Sequence, residues 1–167
     1  MWVTFEGTEG AGQSTLIRAI ATKLKRARVP FIVTREPGGP RVSEAIRKII
    51  LSQDMNPWTE LFLYEASRSE HVQQTILPAL KKKKVVLCDR FGDSSLAYQS
   101  GARKLPWKTV KFLNDLASQG NRPKLSVFLD IDPATGLKRA SDRNRFEHEG
   151  LLSVSYTHLT LPTNGLV

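Results

Sequence analysis

The sequence predicts an α/β domain with three layers, a parallel sheet flanked by helices. Three observations carry that expectation. Short β-branched runs alternate with longer stretches of helical period. A glycine-rich segment follows the first of those runs directly and opens the first helical stretch. Two further turn segments, each carrying an arginine, follow the second and third runs. Strands separated by helices need right-handed crossovers, which place helices on both faces of the sheet.

Each element has its own reason. "WVTFE" (2–6) reads as a buried strand, and "TLIRAIATKLKRA" (15–27) has apolar residues at helical spacing. "PFIVT" (30–34) is a second strand, after which "REPGGP" breaks the chain. Helices are expected at 42–51 and 60–81, with Pro78 kinking or ending the second because its ring nitrogen has no hydrogen to donate. "VVLCD" (85–89) and "LSVFLD" (125–130) are two more strands, with helical patterns around 94–100 and 107–118 between them and another at 134–143. There is no internal repeat and no low-complexity linker.

At 167 residues the chain is long enough for one domain with a real core, and 40% hydrophobic with 25% charged residues is a globular composition. The single cysteine, Cys88, excludes an internal disulfide and fits a reducing compartment. No apolar run approaches membrane-spanning length, and "MWVTFEG" lacks the basic start of a secretory signal. A cytoplasmic protein is expected, with no membrane partner. The net charge of +9 suits either a nucleic-acid surface or an anionic small substrate. The arginines sit beside glycines and turns rather than in one stripe, which favours the small substrate. Lys81 to Lys84 form the only dense basic run, where a helix ends, and read as a solvated terminus complementing the helix dipole.

The chemistry begins at "GTEGAGQST", Gly7, Thr8, Glu9, Gly10, Ala11, Gly12, Gln13, Ser14 and Thr15. Between a strand and a helix, this spacing makes a phosphate-binding loop. Its backbone N–H groups form an anion nest, and the helix N-terminus adds partial positive charge. Ser14 is placed to ligate Mg²⁺. Gln13 stands where that motif carries lysine. "TREPGG" (34–39) and "DRFGDSSLAYQ" (89–99) put arginines at strand carboxyl ends, where open α/β sheets bind ligands.

Together the three stretches resemble the thymidylate kinase family of P-loop nucleoside monophosphate kinases, over Met1 to about Leu152. The resemblance implies the P-loop NTPase fold, ATP and Mg²⁺ as cofactors, dTMP as acceptor, a homodimer, and no nucleic-acid partner. It assigns Arg35 and Arg90 to the dTMP phosphate, a task suited to planar guanidinium groups. Asp89 is assigned to Mg²⁺ through water, and Glu9 to the neighbourhood of the sugar 3′-hydroxyl. Tyr64 matches the aromatic that stacks on thymine and Arg68 the arginine that bonds its carbonyl, and their i,i+4 spacing puts both on one helix face. Ser95 and Gln99 fall where the family reads the base edge, and Tyr98 where it lies against the deoxyribose. After "GLKRA" the family has a mobile lid, which in members whose phosphate loop reads Glu-Gly, as here, supplies an arginine to the transferring phosphoryl group. Of Arg139, Arg143 and Arg145, the expectation falls on Arg143 or Arg145. Arg35 and Arg90 also admit a reading as surface ion pairs, Tyr64 as a core residue, and Ser95 and Gln99 as helix-capping or solvated side chains. Asp130 in "FLDID" reads as part of the turn into the next helix rather than a metal ligand.

Gln13 can reach as far as the family's lysine and donate a hydrogen bond, but it carries no charge. Losing a charged donor there is expected to cost at least the roughly 10²–10³ in rate that one preorganised donor is worth. The segment "VSYTHLTLPT" (154–163) has no amphipathic period and coincides with the translation of a transposase adapter used in preparing sequencing libraries. The expectation is a kinase-like domain over 1–152, with the family's final strand and C-terminal helices missing, and a non-native tail over 153–167. Such a chain could also be another nucleoside monophosphate kinase, a catalytically impaired nucleotide-binding fragment, or a basic nucleic-acid binder.

Overall fold

The protein was analysed as a computed structural model, which describes residues 1–139. Four parallel strands, β1 (Trp2–Gly7), β2 (Phe31–Arg35), β3 (Val85–Asp89) and β4 (Leu125–Leu129), form one sheet in the order β2-β3-β1-β4. Helix α1 (Gln13–Arg26) crosses from β1 to β2, and α2 (Arg41–Ser52), α3 (Pro57–His71) and α4 (Leu77–Lys81) lead to β3. Then come α5 (Gly92–Ser95), α6 (Trp107–Ala117), β4 and α7 (Pro133–Arg139). The residues expected at 140–143 of the last helix, Arg143 and Arg145, and the tail at 153–167 lie outside the described residues.

Burial on both sheet faces follows from the period-2 alternation of strand side chains. On one face Trp2, Val86 and Cys88 pack with Val72, Ile76, Ala79 and Phe91. On the other, Val3, Phe5 and Leu87 meet Ile17, with Leu16, Ile20 and Leu24 of α1 around them. This is the helix-on-both-faces architecture expected from the sequence. A smaller cluster of Leu61, Leu96, Leu105 and Val110 joins α3 to α6.

Three details differ from expectation. Helix α3 begins at Pro57 rather than at residue 60: Asn56 caps it, its Oδ1 accepting from the Thr59 N–H at 2.9 Å, and Pro57 occupies the first turn, where a missing N–H costs nothing. The chain does not break at Pro78. A π-helical stretch, Val72–Ile76, widens the path between α3 and α4, so that Pro78 enters at the start of a new segment. The helical pattern expected around 94–100 is helical, but as the short α5 followed by a second π-helical stretch, Leu96–Ala102, rather than as one regular helix. The basic run behaves as expected, with Lys81, Lys82 and Lys83 exposed at the end of α4.

Strand register positions the site. Phe5 of β1 and Arg35 of β2 both pair with Asp89 of β3. The Arg90 N–H then donates to the Phe5 carbonyl at 3.0 Å, and the Glu36 N–H to the Asp89 carbonyl at 2.9 Å. The three chemistry-bearing turns therefore leave the sheet side by side at its carboxyl edge.

Candidate active site

The glycine loop joins β1 to α1 as expected. Gly12 takes a left-handed conformation, φ 96°, and α1 starts at Gln13. Close approach explains Gly10: a Cβ there would lie 2.0 Å from the Gly136 carbonyl oxygen, and a Cβ on Gly136 would lie 2.4 Å from the Glu9 carbonyl oxygen. Two glycines thus let α7 abut the loop. The Gln13 side chain is buried and turns back into the loop, its Nε2 donating to the Thr8 carbonyl at 3.2 Å. Ser14 Oγ donates to Asp89 Oδ2 at 2.9 Å, which brings a hydroxyl and a carboxylate from two different turns together.

The loop opens onto a cleft of about 1000 Å³. Lining it are Glu9, Gly10, Gly12, Gln13, Ser14 and Thr15 on one side, with Arg35, Tyr64, Arg68, Asp89, Arg90, Ser95, Tyr98 and Gln99 beyond, and Arg139 of α7. Gly7, Thr8 and Ala11 shape the loop without lining the cleft. Asp132, not Asp130, caps α7, accepting from the Thr135 N–H and hydroxyl at 2.9 Å each, in keeping with a turn at "DIDP".

Arg90 sits at φ 66°, a left-handed conformation that is uncommon for a bulky residue and marks a position worth its strain. Its guanidinium pairs with Glu9 at 3.0 Å and lies 5.6 Å from the Tyr98 ring centroid. Burial works against its charge, but Tyr98, Glu9 and Asp89 outweigh that and hold its pKa above the ordinary value. Arg35 is half exposed and pairs with both oxygens of Glu44 at 3.0 and 2.9 Å while also lining the cleft.

Arg68 is the most constrained cation. Only 1% exposed, it donates Nε to Glu36 at 2.9 Å, Nη1 to Glu65 at 2.9 Å and to Asn114, and Nη2 to Ser95 Oγ at 2.9 Å. Its guanidinium also lies 4.9 Å from the Phe91 ring centroid. Burial opposes this charge too, and Glu65 and Glu36 overcome it. The second Glu36 oxygen meets His71 Nδ1 at 2.9 Å, and His71 Nε2 meets Thr34 Oγ1 at 2.7 Å. A guanidinium has five N–H donors, and this network uses four of them. One N–H on Nη2 has no acceptor in this network, and Arg68 is among the residues that line the cleft.

Several of these residues had no sequence-based role. Glu36 and Phe91 lie inside the quoted motifs and line the cleft, as does Ser94. Arg47 lines it as well, donating Nη1 to the Pro37 carbonyl at 2.8 Å. Burial, and then the neighbouring Arg35 charge, hold its pKa below the ordinary value. A signal for Arg47 existed, since Ser43, Arg47 and Ile50 share one face of α2 and the two flanking residues are buried. Asn114 shares a face with buried Val110 and Ala117 of α6, and Glu65 with buried Leu61 and Arg68 of α3, the same signal.

Sequence comparison settles the family. The thymidylate kinase family model matches residues 5–157. The chain belongs to the thymidylate kinase family. A thymidylate kinase of Geotalea uraniireducens is 47% identical over 163 residues, covering 90% of this chain and 76% of that protein. One from Clostridium novyi is 46% identical over 149 residues, covering 87% and 73%. The crystal structure of thymidylate kinase from Ehrlichia chaffeensis superposes with a TM-score of 0.71 at 33% identity, covering 84% of this chain and 81% of that one. The P-loop NTPase fold expected from the sequence is therefore the fold this family shares with the chain.

Proposed function

We propose that this cleft transfers the γ-phosphoryl group of ATP to dTMP, giving dTDP and ADP. The observation that carries the reading is that one cleft is lined both by the phosphate loop, Gly10 and Gly12 to Thr15, and by a guanidinium and an amide able to read a pyrimidine edge. The loop cradles the ATP phosphates. Arg90 holds the dTMP phosphate, with Arg35 and Arg47 beside it. Glu9, which pairs with Arg90, fixes that arginine at the end nearest the loop and faces the sugar. Tyr64 packs on the base and Tyr98 on the deoxyribose. The last N–H of Arg68 donates to the thymine O4, and Gln99 accepts from N3–H, with Ser95 holding the guanidinium in place.

The adjoining Ser14 hydroxyl and Asp89 carboxylate suit Mg²⁺, which takes one or two carboxylates and otherwise substrate phosphates and water. Among the described residues no group of three or more His, Cys, Asp and Glu could hold a metal ion. Bound there, it would neutralise charge on the β- and γ-phosphate oxygens. Gln13 offers those phosphates a donor without charge. Arg139 is the described lid-side arginine that reaches the cleft; Arg143 and Arg145 remain the other candidates.

A homodimer is supported by exposed apolar side chains on neighbouring helices, Ile49 of α2, Trp58 and Phe62 of α3, and Phe112 and Leu116 of α6. Among the described residues no helix is long and apolar enough to cross a membrane, and a cytoplasmic enzyme remains the proposal.

The deciding experiment compares thermal stabilisation by dTMP and by dCMP, together with turnover of dTMP in the presence of Mg²⁺-ATP. Greater stabilisation by dTMP is expected. Equal shifts for both nucleotides would refute the base-reading roles, and duplex DNA binding undisturbed by ATP or dTMP would point to a different function.

A further inference from the structure

A glutamine side chain can read a base only if something decides which end of its amide faces the ligand. Oxygen and nitrogen are nearly the same size, so shape does not choose. Gln99 is 1% exposed in the π-helical stretch, and backbone bonds pin the chain around it: the Leu105 N–H donates to the Gln99 carbonyl at 3.0 Å and the Arg103 N–H to the Tyr98 carbonyl at 2.9 Å. Its Nε2 donates to Glu60 Oε1 at 3.0 Å, whereas its Oε1 has no partner among the described residues.

Glu60 is fully buried, and Arg103 holds both its oxygens, Nε on Oε1 and Nη2 on Oε2, each at 3.1 Å. With both oxygens already accepting from the guanidinium, this carboxyl group presents acceptors to its neighbours. With its NH₂ end held on that acceptor, Gln99, which lines the cleft, is left with its carbonyl as the end that has no partner among the described residues.

We infer that Glu60, backed by Arg103, is a specificity-determining positioning residue that makes Gln99 present an acceptor to the base. The inference rests on the base-reading role proposed above for Gln99. Thymine offers a donor at N3 and an acceptor at O4, matching the Gln99 carbonyl and the last Arg68 N–H. Cytosine offers an acceptor at N3 and a donor at its amino group, and so opposes both. Flipping the Gln99 amide would remove half of that discrimination, and Glu60 stands against the flip.

The test measures dissociation constants of dTMP and dCMP by calorimetry, so it does not depend on turnover. Glu60→Gln replaces a group that presents acceptors by one that can accept or donate, and Arg103 is open enough to be solvated. The ratio of dTMP to dCMP affinity is expected to fall roughly 10-fold, the cost of one mismatched buried hydrogen bond. Equal weakening of both nucleotides, the signature of a merely structural role, would overturn the inference. Gln99→Ala separates the two layers. An unchanged ratio in that variant would remove the base reading itself; a collapsed ratio there, with Glu60→Gln at the wild-type value, would overturn the positioning role alone. Nuclear magnetic resonance on the wild-type chain needs no altered core. The Gln99 side-chain NH₂ signal, assigned by its loss in Gln99→Ala, should stay near its free position when dTMP binds, because it remains on Glu60. A large shift would place the NH₂ end against the base and refute the inference.

Discussion

Glu6 lies at the end of β1 beneath the phosphate loop, fully buried, and its stability should depend on pH in a defined direction. Ser94 Oγ donates to its Oε2 at 2.6 Å, and Oε1 has no partner among the described residues. Burial, and then the nearby Asp93 carboxylate, push its pKa from 4.5 up to about 7, against the smaller opposing pulls of the Ser94 bond and Arg90. Below pH 4.5 the group is protonated in both the folded and the unfolded chain. Between 4.5 and about 7 the folded protein keeps a proton that the unfolded chain has released, so stability falls as pH rises and levels off above about 7. At 1.36 kcal/mol per pH unit, the loss across that window is about 3 kcal/mol. Glu6→Gln keeps the shape and an oxygen for Ser94 but never ionises. Relative to wild type, its melting temperature at pH 8 should therefore be higher by on the order of 5–10 °C, and at pH 5 most of that advantage should vanish. Differential scanning calorimetry of both proteins at the two pH values measures it, and the subtraction cancels other titrating groups. The same difference at both pH values would refute the account, as would a variant less stable than wild type at pH 8.

Three other outcomes are expected. Gln13→Lys should raise phosphoryl transfer by roughly 10²-fold with little change in dTMP affinity, because charge beside the β,γ-bridge matters most in the transition state; steady-state rates at saturating Mg²⁺-ATP, measured on the chain extended with a family-like C-terminal segment, check this. Arg90→Ala should weaken dTMP binding in calorimetry far more than Lys82→Ala, since a partly desolvated pair is worth more than a solvated charge. Gly136→Ala should shift the phosphate loop and weaken ATP binding, as its Cβ would meet the Glu9 carbonyl oxygen at 2.4 Å, whereas Gly120→Ala, with nothing within 4 Å of its Cβ, should lower stability without altering ATP affinity.

Much of this architecture was local chemistry, and local chemistry is written in order along the chain. The β3 strand stands where "VVLCD" places it, the loop joins β1 to α1, and the arginine-bearing turns follow β2 and β3. Even the Asn56-Pro57 start of α3 was a readable capping signal that the apolar period alone passed over. The environment of Arg68 was not readable. Its partners Glu36, Ser95 and Asn114 lie far from it along the chain, and the glutamate of a turn segment gives no sign of being buried. The same holds for Glu60, which resembles any first-turn acid of a solvated helix until Arg103 and Gln99 fold over it. The π-helical stretches that carry Gln99 and admit Pro78 escaped for a related reason: a widened turn is chosen by what packs against it, not by its own residues. Motifs and periodicity specify which groups arrive at the carboxyl edge of the sheet. Their charge state, their hydrogen-bond partners and the direction an amide faces arise only when distant segments exclude water around them, because burial is what turns an exposed charge into a fixed one.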